Sequence, residues 1–331
     1  MCLITRDVKP RIAKQDIVVL KYLRLVDNQY YTPFFYTPVT LDKMLIPNRG
    51  TPDMSTSRYA LGEKLIIIQG GVIHATLIKN NPIFGFTFKA IIPKGTKYWI
   101  DICGNDIASE KILITKELAN ESNINNSLAK EILKDSPEIN GIKVGDYQMI
   151  DNSFIHPTES IQETKARGIV CGFYEGGKPI ICALKKFRTN WSNRHFSLKE
   201  ESDYNDIKLF NGKEITQKYI QLKNDHINSG AFNKCINYRK DKGENWFFGS
   251  YREVLTMAEN AIYLNAAHKI TGLGFRFKTS QYYWSSSEKN IDASWCISIN
   301  PYFNSNDCSL KKFYMLNIVP FYDFSNESNI L

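Results

Sequence analysis

Two tryptophan-bearing segments near the C-terminus, Gln281-Tyr-Tyr-Trp-Ser-Ser-Ser-Glu288 and Ala293-Ser-Trp-Cys-Ile-Ser-Ile299, constrain the fold of this chain most. In the second, Trp295, Ile297 and Ile299 alternate with Cys296 and Ser298, the two-residue period of a strand with one buried face. The first sets Tyr283 and Trp284 beside three serines. Two strands anchored by tryptophans and joined by a short polar loop make a rigid sheet that offers hydroxyl, amide and charged groups at one end. That is the build of a binding surface rather than of a catalytic centre.

Upstream, Trp246-Phe-Phe248 reads as a short apolar strand. Ser250 stands three residues before Glu253, the spacing of a reciprocal capping box, which predicts a helix starting near Tyr251. Val254, Leu255 and Ala258 give that helix an inward face. It continues through 265–269 and stops at Gly272-Leu-Gly274. The serine and the glutamate are therefore assigned to a helix cap and not to catalysis. Two more helices are predicted at 213–224 and 229–238, and a hairpin over 168–184 turns at Gly176-Gly177.

Residues 1–115 are read as a small, mainly β domain. Strands are predicted over 16–23, 65–68, 72–78, 86–92, 97–100 and 111–115, with Gly70-Gly71 closing a hairpin between the second and third. Residues 116–137 are polar and Asn-rich, and Leu128, Ile132 and Leu133 fall at helical spacing before Pro137. They form a helical linker to a second domain, 138–331. The fold class is α+β.

Composition excludes several classes of function. Five histidines against 18 tyrosines and 19 phenylalanines suit packed sheets and contact surfaces better than metal or acid–base chemistry. The seven cysteines include no CxxC pair and no Cys/His cluster, so no zinc site and no cofactor is expected. Cys171 and Cys182 face each other across the hairpin, and both are expected reduced. The formal charge of +8 is dispersed, which argues against a dedicated nucleic-acid site. No signal peptide and no membrane-spanning run is legible, so the expected location is the cytoplasm, or outside the cell after lysis or within a virion.

The run Tyr-Trp-Ser-Ser-Ser-Glu ending at Glu288, the Ser-Trp pair at Trp295 and the closing Ile318-Val-Pro-Phe-Tyr-Asp-Phe324 together resemble the Lcl C-terminal family, whose members have a C-type-lectin-like fold. Asn245-Trp-Phe-Phe-Gly-Ser-Tyr-Arg-Glu-Val-Leu255 resembles the family's Trp…Pro-Ser…Glu-Leu signature, with Gly249 in place of the proline and the leucine displaced by one. The resemblance covers about 138–324. Lys143-Val-Gly-Asp-Tyr147 and Gly168-Ile-Val170 resemble the front of such domains in gut Bacteroidetes and their phages. Residues 1–115 resemble an uncharacterised domain of Bacteroides mobile elements. The calcium-binding Glu-Pro-Asn and Trp-Asn-Asp triplets of true C-type lectins are absent, so no metal is expected. Cys296 and Cys308 do not match the copper-binding pair of formylglycine-generating enzymes.

The resemblance implies a non-catalytic binding protein that recognises a cell-surface protein or glycan, such as a phage receptor-binding or tail-associated protein. The expected ligand-binding residues are Tyr282, Tyr283, Ser286, Glu288, Lys289 and Asn290 before the Trp295 strand, and Asn300, Tyr302, Asn304 and Asn306 after it. Tyrosine and asparagine give contact area and adaptable hydrogen bonds. Trp246, Trp284, Trp295, Ser250 and Glu253 are expected to be structural. Two alternatives stand beside this reading. One is a structural virion component that binds further copies of itself or other virion proteins. The other is an enzyme whose N-terminal domain resembles a degenerate mono-ADP-ribosyltransferase, with Ser55-Thr-Ser57, expected in a loop, and Glu110 at the site.

Overall fold

The computed structural model describes residues 3–7, 9–33, 37–48, 51–58, 64–77, 86–119, 126–192, 198, 208–222, 229–242, 245–278, 281–299 and 309–323. The chain divides into two compact units, Met1–Ile132 and Leu133–Leu331. The division falls inside the polar stretch 116–137, where the helix Ser127–Lys134 buries Leu128, Ile132 and Leu133.

The first unit is built of antiparallel strands. Its larger sheet runs, in spatial order, Arg11–Ile12, Lys97–Ile100, Asp106–Ser109, Ile73–Thr76, Ile17–Val26, Phe86–Ile92, Ile112–Leu118 and Lys43–Leu45. The central pair matches Phe86 with Leu23 through to Ile92 with Ile17. Phe88, Ala90 and Ile92 alternate inward, as the period of two dictates. Asp27 and Asn28, both at positive φ, turn the chain between Ile17–Val26 and Gln29–Tyr31. Two such residues satisfy the primed turn that matches strand twist.

Two expectations for this unit are corrected. Gly70-Gly71 does not close a hairpin: Lys64–Ile68 belongs to a separate sheet with Leu3–Thr5 and Met54–Arg58, whereas Ile73–Thr76 lies in the larger one. Gly71 has φ of 69°, and a Cβ there would stand 1.9 Å from the Thr51 carbonyl oxygen. The glycines let the chain cross closely over 51–53 and pass from one sheet to the other. Nor is Ser55-Thr-Ser57 a loop. It is the middle of the strand Met54–Arg58, in register with Lys64–Ile68, because the ladder supplies backbone partners whatever the side chains prefer.

The second unit carries two larger sheets. One runs Phe154–Ile155, Tyr147–Met149, Ala166–Phe173, Pro179–Ala183, Pro320–Tyr322, Trp246–Phe248; the other runs Phe187–Thr189, Leu316–Ile318, Tyr282–Glu288, Ala293–Ser298, Ser309–Lys311. The last segment serves both sheets, changing from one to the other at Val319. Helices Gly212–Leu222 and Gly230–Lys242 pack on Trp246–Phe248. Between them lies an aromatic core: Tyr219 stacks on Phe232 with centroids 4.5 Å apart, and Trp191 and Phe248 meet Phe232 edge-on. The predicted hairpin forms, with Cys171 as the extra residue of a bulge, its Sγ directed to the Ile180 carbonyl. Cys171 and Cys182 are free and buried.

The capping box forms at Ser250, whose N–H donates to Glu253 Oε2 at 2.5 Å. The helix it starts is shorter than expected. Tyr251–Glu259 and Ala261–Thr271 are separate helices, broken at Asn260, whose Nδ2 donates to both Thr256 and Cys171 carbonyls. An asparagine that hydrogen-bonds the backbone competes with helix continuation. Gly272 then closes the second helix at φ of 76°.

Gly249 is fixed by its neighbour. A Cβ there would lie 2.5 Å from two ring carbons of Phe321. Gly249→Ala is expected to cost about 1–3 kcal/mol through overpacking, read from urea unfolding, and adding Phe321→Leu should recover part of it. An alanine variant as stable as the parent would show that the ring moves aside freely.

Candidate functional site

The Tyr282–Glu288 strand lies in the middle of its sheet, between Leu316–Ile318 and Ala293–Ser298. Trp284 pairs with Cys296 and Glu288 with Ser294, so Ser285, Ser286 and Ser287 together oppose the single residue Trp295. This bulge is wholly internal. Ser285 Oγ donates to the Trp295 carbonyl, and the Ser285 carbonyl accepts the Trp191 indole N–H, both at 2.8 Å. Ser286 N–H donates to the Gly249 carbonyl, and Ser287 Oγ accepts the first N–H of the Tyr251–Glu259 helix. The serines join a strand, a helix start and an indole; they are not a recognition loop.

That arrangement corrects part of the expected site. Tyr283 and Ser286 are fully buried, the tyrosine donating to Gln281 Oε1 and packing on Phe277. Glu288 is buried too, and it pairs with Lys312 Nζ while accepting the Leu198 N–H at 2.9 Å. The physical reason is coverage of both sheet faces: the aromatic core takes Trp284 and Cys296, and the Tyr251–Glu259 helix packs over the opposite face. Trp246 and Trp284 are core residues, while Trp295 is only half-buried, its ring meeting Tyr251 edge-on with Lys289 Nζ 5.0 Å above it. Tyr282 is half-buried. Lys289 and Asn290 are exposed, Asn290 Oδ1 accepting the N–H groups of Asp292 and Ala293 to close the turn. Asn300, Tyr302, Asn304 and Asn306 lie outside the described residues.

What sequence reasoning missed stands beside this turn. Lys312 N–H donates to the Asp292 carbonyl, and the next three residues, Phe313, Tyr314 and Met315, are 56%, 47% and 51% exposed. Ile291 is 51% exposed as well. The backbone under this ridge is fixed. The Lys312 carbonyl accepts Trp191 and Ser192 N–H groups, the Tyr314 carbonyl accepts the Trp284 indole, and the Met315 carbonyl accepts Arg188 Nε. Lys312 itself turns inward, its ammonium on Glu288 and 4.3 Å from the Trp191 ring centre. Three consecutive large apolar side chains thus project from a clamped main chain. The signal was present in Phe-Tyr-Met after Lys311-Lys312, but a run of three also fits a buried strand.

No protein-family model and no curated protein matches this chain. Among solved structures, a fimbrial protein from Bacteroides ovatus is similar to it. The match has 12% identity and a TM-score of 0.41, and covers 93% of this chain and 70% of that one.

In the first unit, Glu110 forms an ion pair with Lys97 at 3.2 Å, and both side chains are largely in solvent. Among the described residues, no three His, Cys, Asp or Glu side chains converge as a metal site would require, and no helix is long and apolar enough to cross a membrane.

Proposed function

We propose that the chain is a non-catalytic binding protein whose second unit, a C-type-lectin-like module of the Lcl kind, recognises a cell-surface protein or glycan. The observation that carries this reading is the ridge Phe313-Tyr314-Met315, with Ile291 beside it and Lys289 and Asn290 on the adjoining turn. Aromatic residues and methionine are enriched at the centres of recognition surfaces, and contiguous exposed apolar groups mark contact sites. Its clamped carbonyls remove much of the ordering cost that a loop would meet on binding. The charged and amide groups of the turn form a polar rim. Nothing in this reading calls for calcium.

The test uses the full chain, labelled and applied to gut Bacteroidetes cells and to a glycan array, with and without chelator. A Phe313→Ser/Tyr314→Ser/Met315→Ser variant serves as comparison. Chelator-resistant binding that falls at least tenfold in the variant, with unchanged thermal unfolding, is the expected result. A folded chain that binds neither cells nor glycans, or a variant that binds like the parent, would remove the ridge from consideration. Self-association lost in the variant would favour a structural, assembly-forming role instead.

A further inference from the structure

The first unit contains a feature that recognition by the second does not use. Ile17, Val19 and Leu23 form the buried face of the central strand, and at the intervening inward position stands Lys21, only 7% exposed. An ammonium in a place where the period of two calls for an aliphatic side chain is costly unless something answers its charge. Its Nζ donates to the His74 carbonyl. Among the described residues, no carboxylate stands within ion-pair distance of it. Burial lowers Lys21 from 10.5 to about 8, so it keeps its charge at neutral pH.

Lys21 opens onto a cavity of about 490 Å³, well within the range of small-molecule sites. Leu45, Ile46, Pro47 and Val72 give it an apolar wall, and Gly70-Gly71 brings bare backbone to its edge. Asp53 also lines it, with its carboxylate against Gly70: a Cβ on that glycine would stand 2.5 Å from Asp53 Oδ2. Among the described residues, His74 is the remaining titratable one on the wall. Burial, and then the Lys21 charge, hold its imidazole neutral, down at about 4, against its hydrogen bond to the Gln69 backbone. Its Nε2 is buried with no partner among the described residues.

We propose that this cavity binds a small amphiphilic carboxylate. The carboxylate pairs with the Lys21 ammonium, and the hydrocarbon lies against Leu45, Ile46, Pro47 and Val72. Both features of the wall then meet their complement: a buried cation without a counter-ion, and an apolar surface. A neutral alcohol would leave the cation unanswered.

The experiment is calorimetric titration of the full chain with 3-hydroxydecanoate, decanoate and 1-decanol, all below their aggregation limits. Binding of 3-hydroxydecanoate and of decanoate at one per chain is expected, and no binding of decanol. Lys21→Met, which places an apolar side chain of similar length at the same position, should abolish binding while raising the thermal midpoint. Should that variant misfold, acetylation of the parent answers the same question: 3-hydroxydecanoate should protect Lys21 from acetic anhydride, read by peptide mass spectrometry. Decanol binding as well as the acids, binding unchanged in Lys21→Met, several molecules bound per chain, or a folded chain that binds none of the three and leaves Lys21 unprotected would each overturn the proposal.

Discussion

Glu288→Gln is expected to destabilise the second unit by about 3–5 kcal/mol, the usual cost of leaving one member of a buried ion pair without its partner. Glu288 and Lys312 are 1% and 4% exposed, so neither can turn to water when the other is removed. The loss is not confined to one contact. Glu288 also accepts the Leu198 N–H, and Lys312 sits over the Trp191 ring while its backbone ties Asp292, Trp191 and Ser192 together. Lys312→Met should cost a similar amount, because it leaves the carboxylate buried without its cation. The double variant Glu288→Gln/Lys312→Met should be clearly more stable than either single one, since it removes both charges and keeps both shapes. Urea unfolding followed by tryptophan fluorescence reports all three, with Trp191 and Trp284 in the core beside the pair. Single variants within about 0.5 kcal/mol of the parent would mean that solvent reaches the pair.

This pair also explains why the burial of Tyr283, Ser286 and Glu288 could not be read from the sequence. Local spacing was sufficient where the physics is local. Ser250 and Glu253 cap a helix because they are three residues apart, and Gly272 ends the next one because only glycine takes that φ without strain. Asn290 and its neighbours formed the expected turn for the same reason. The three serines misled because exposure of a strand depends on what lies across it. Apart from the Trp295 carbonyl on the facing strand, their partners come from Gly249, Tyr251 and Trp191, tens of residues away. Glu288 looked like a surface charge since nothing near it in sequence announces Lys312, 24 residues on. Lys21 is the opposite case. It could have been found, because a charge on the inward register of Ile-Val-Val-Leu-Lys-Tyr-Leu breaks a pattern that is otherwise complete.

The cap at Ser250 makes a second large effect measurable, through pH. Burial raises Glu253 from 4.5 to about 7, with Glu214 adding to the shift and the hydrogen bonds from Ser250 and from the Gly212 N–H opposing it. The folded state therefore holds a proton that the unfolded chain has already released between about pH 4.5 and 7. Ionised Glu253 costs the fold nothing below that window, progressively more through it, and on the order of 3 kcal/mol above it. Glu253→Gln keeps an oxygen to accept the Ser250 N–H and cannot ionise. The variant should match the parent below about pH 4.5 and exceed it near pH 8, with the difference opening between about pH 4.5 and 7 and level above that. Asp101 and Asp146, also raised by burial, titrate in both chains and cancel from that difference. Were the difference flat from pH 5 to 8, the carboxylate would have to be ionised throughout, as the helix N-terminus alone would favour. The capping glutamate would then be held by its hydrogen bonds and the helix dipole more strongly than burial penalises its charge.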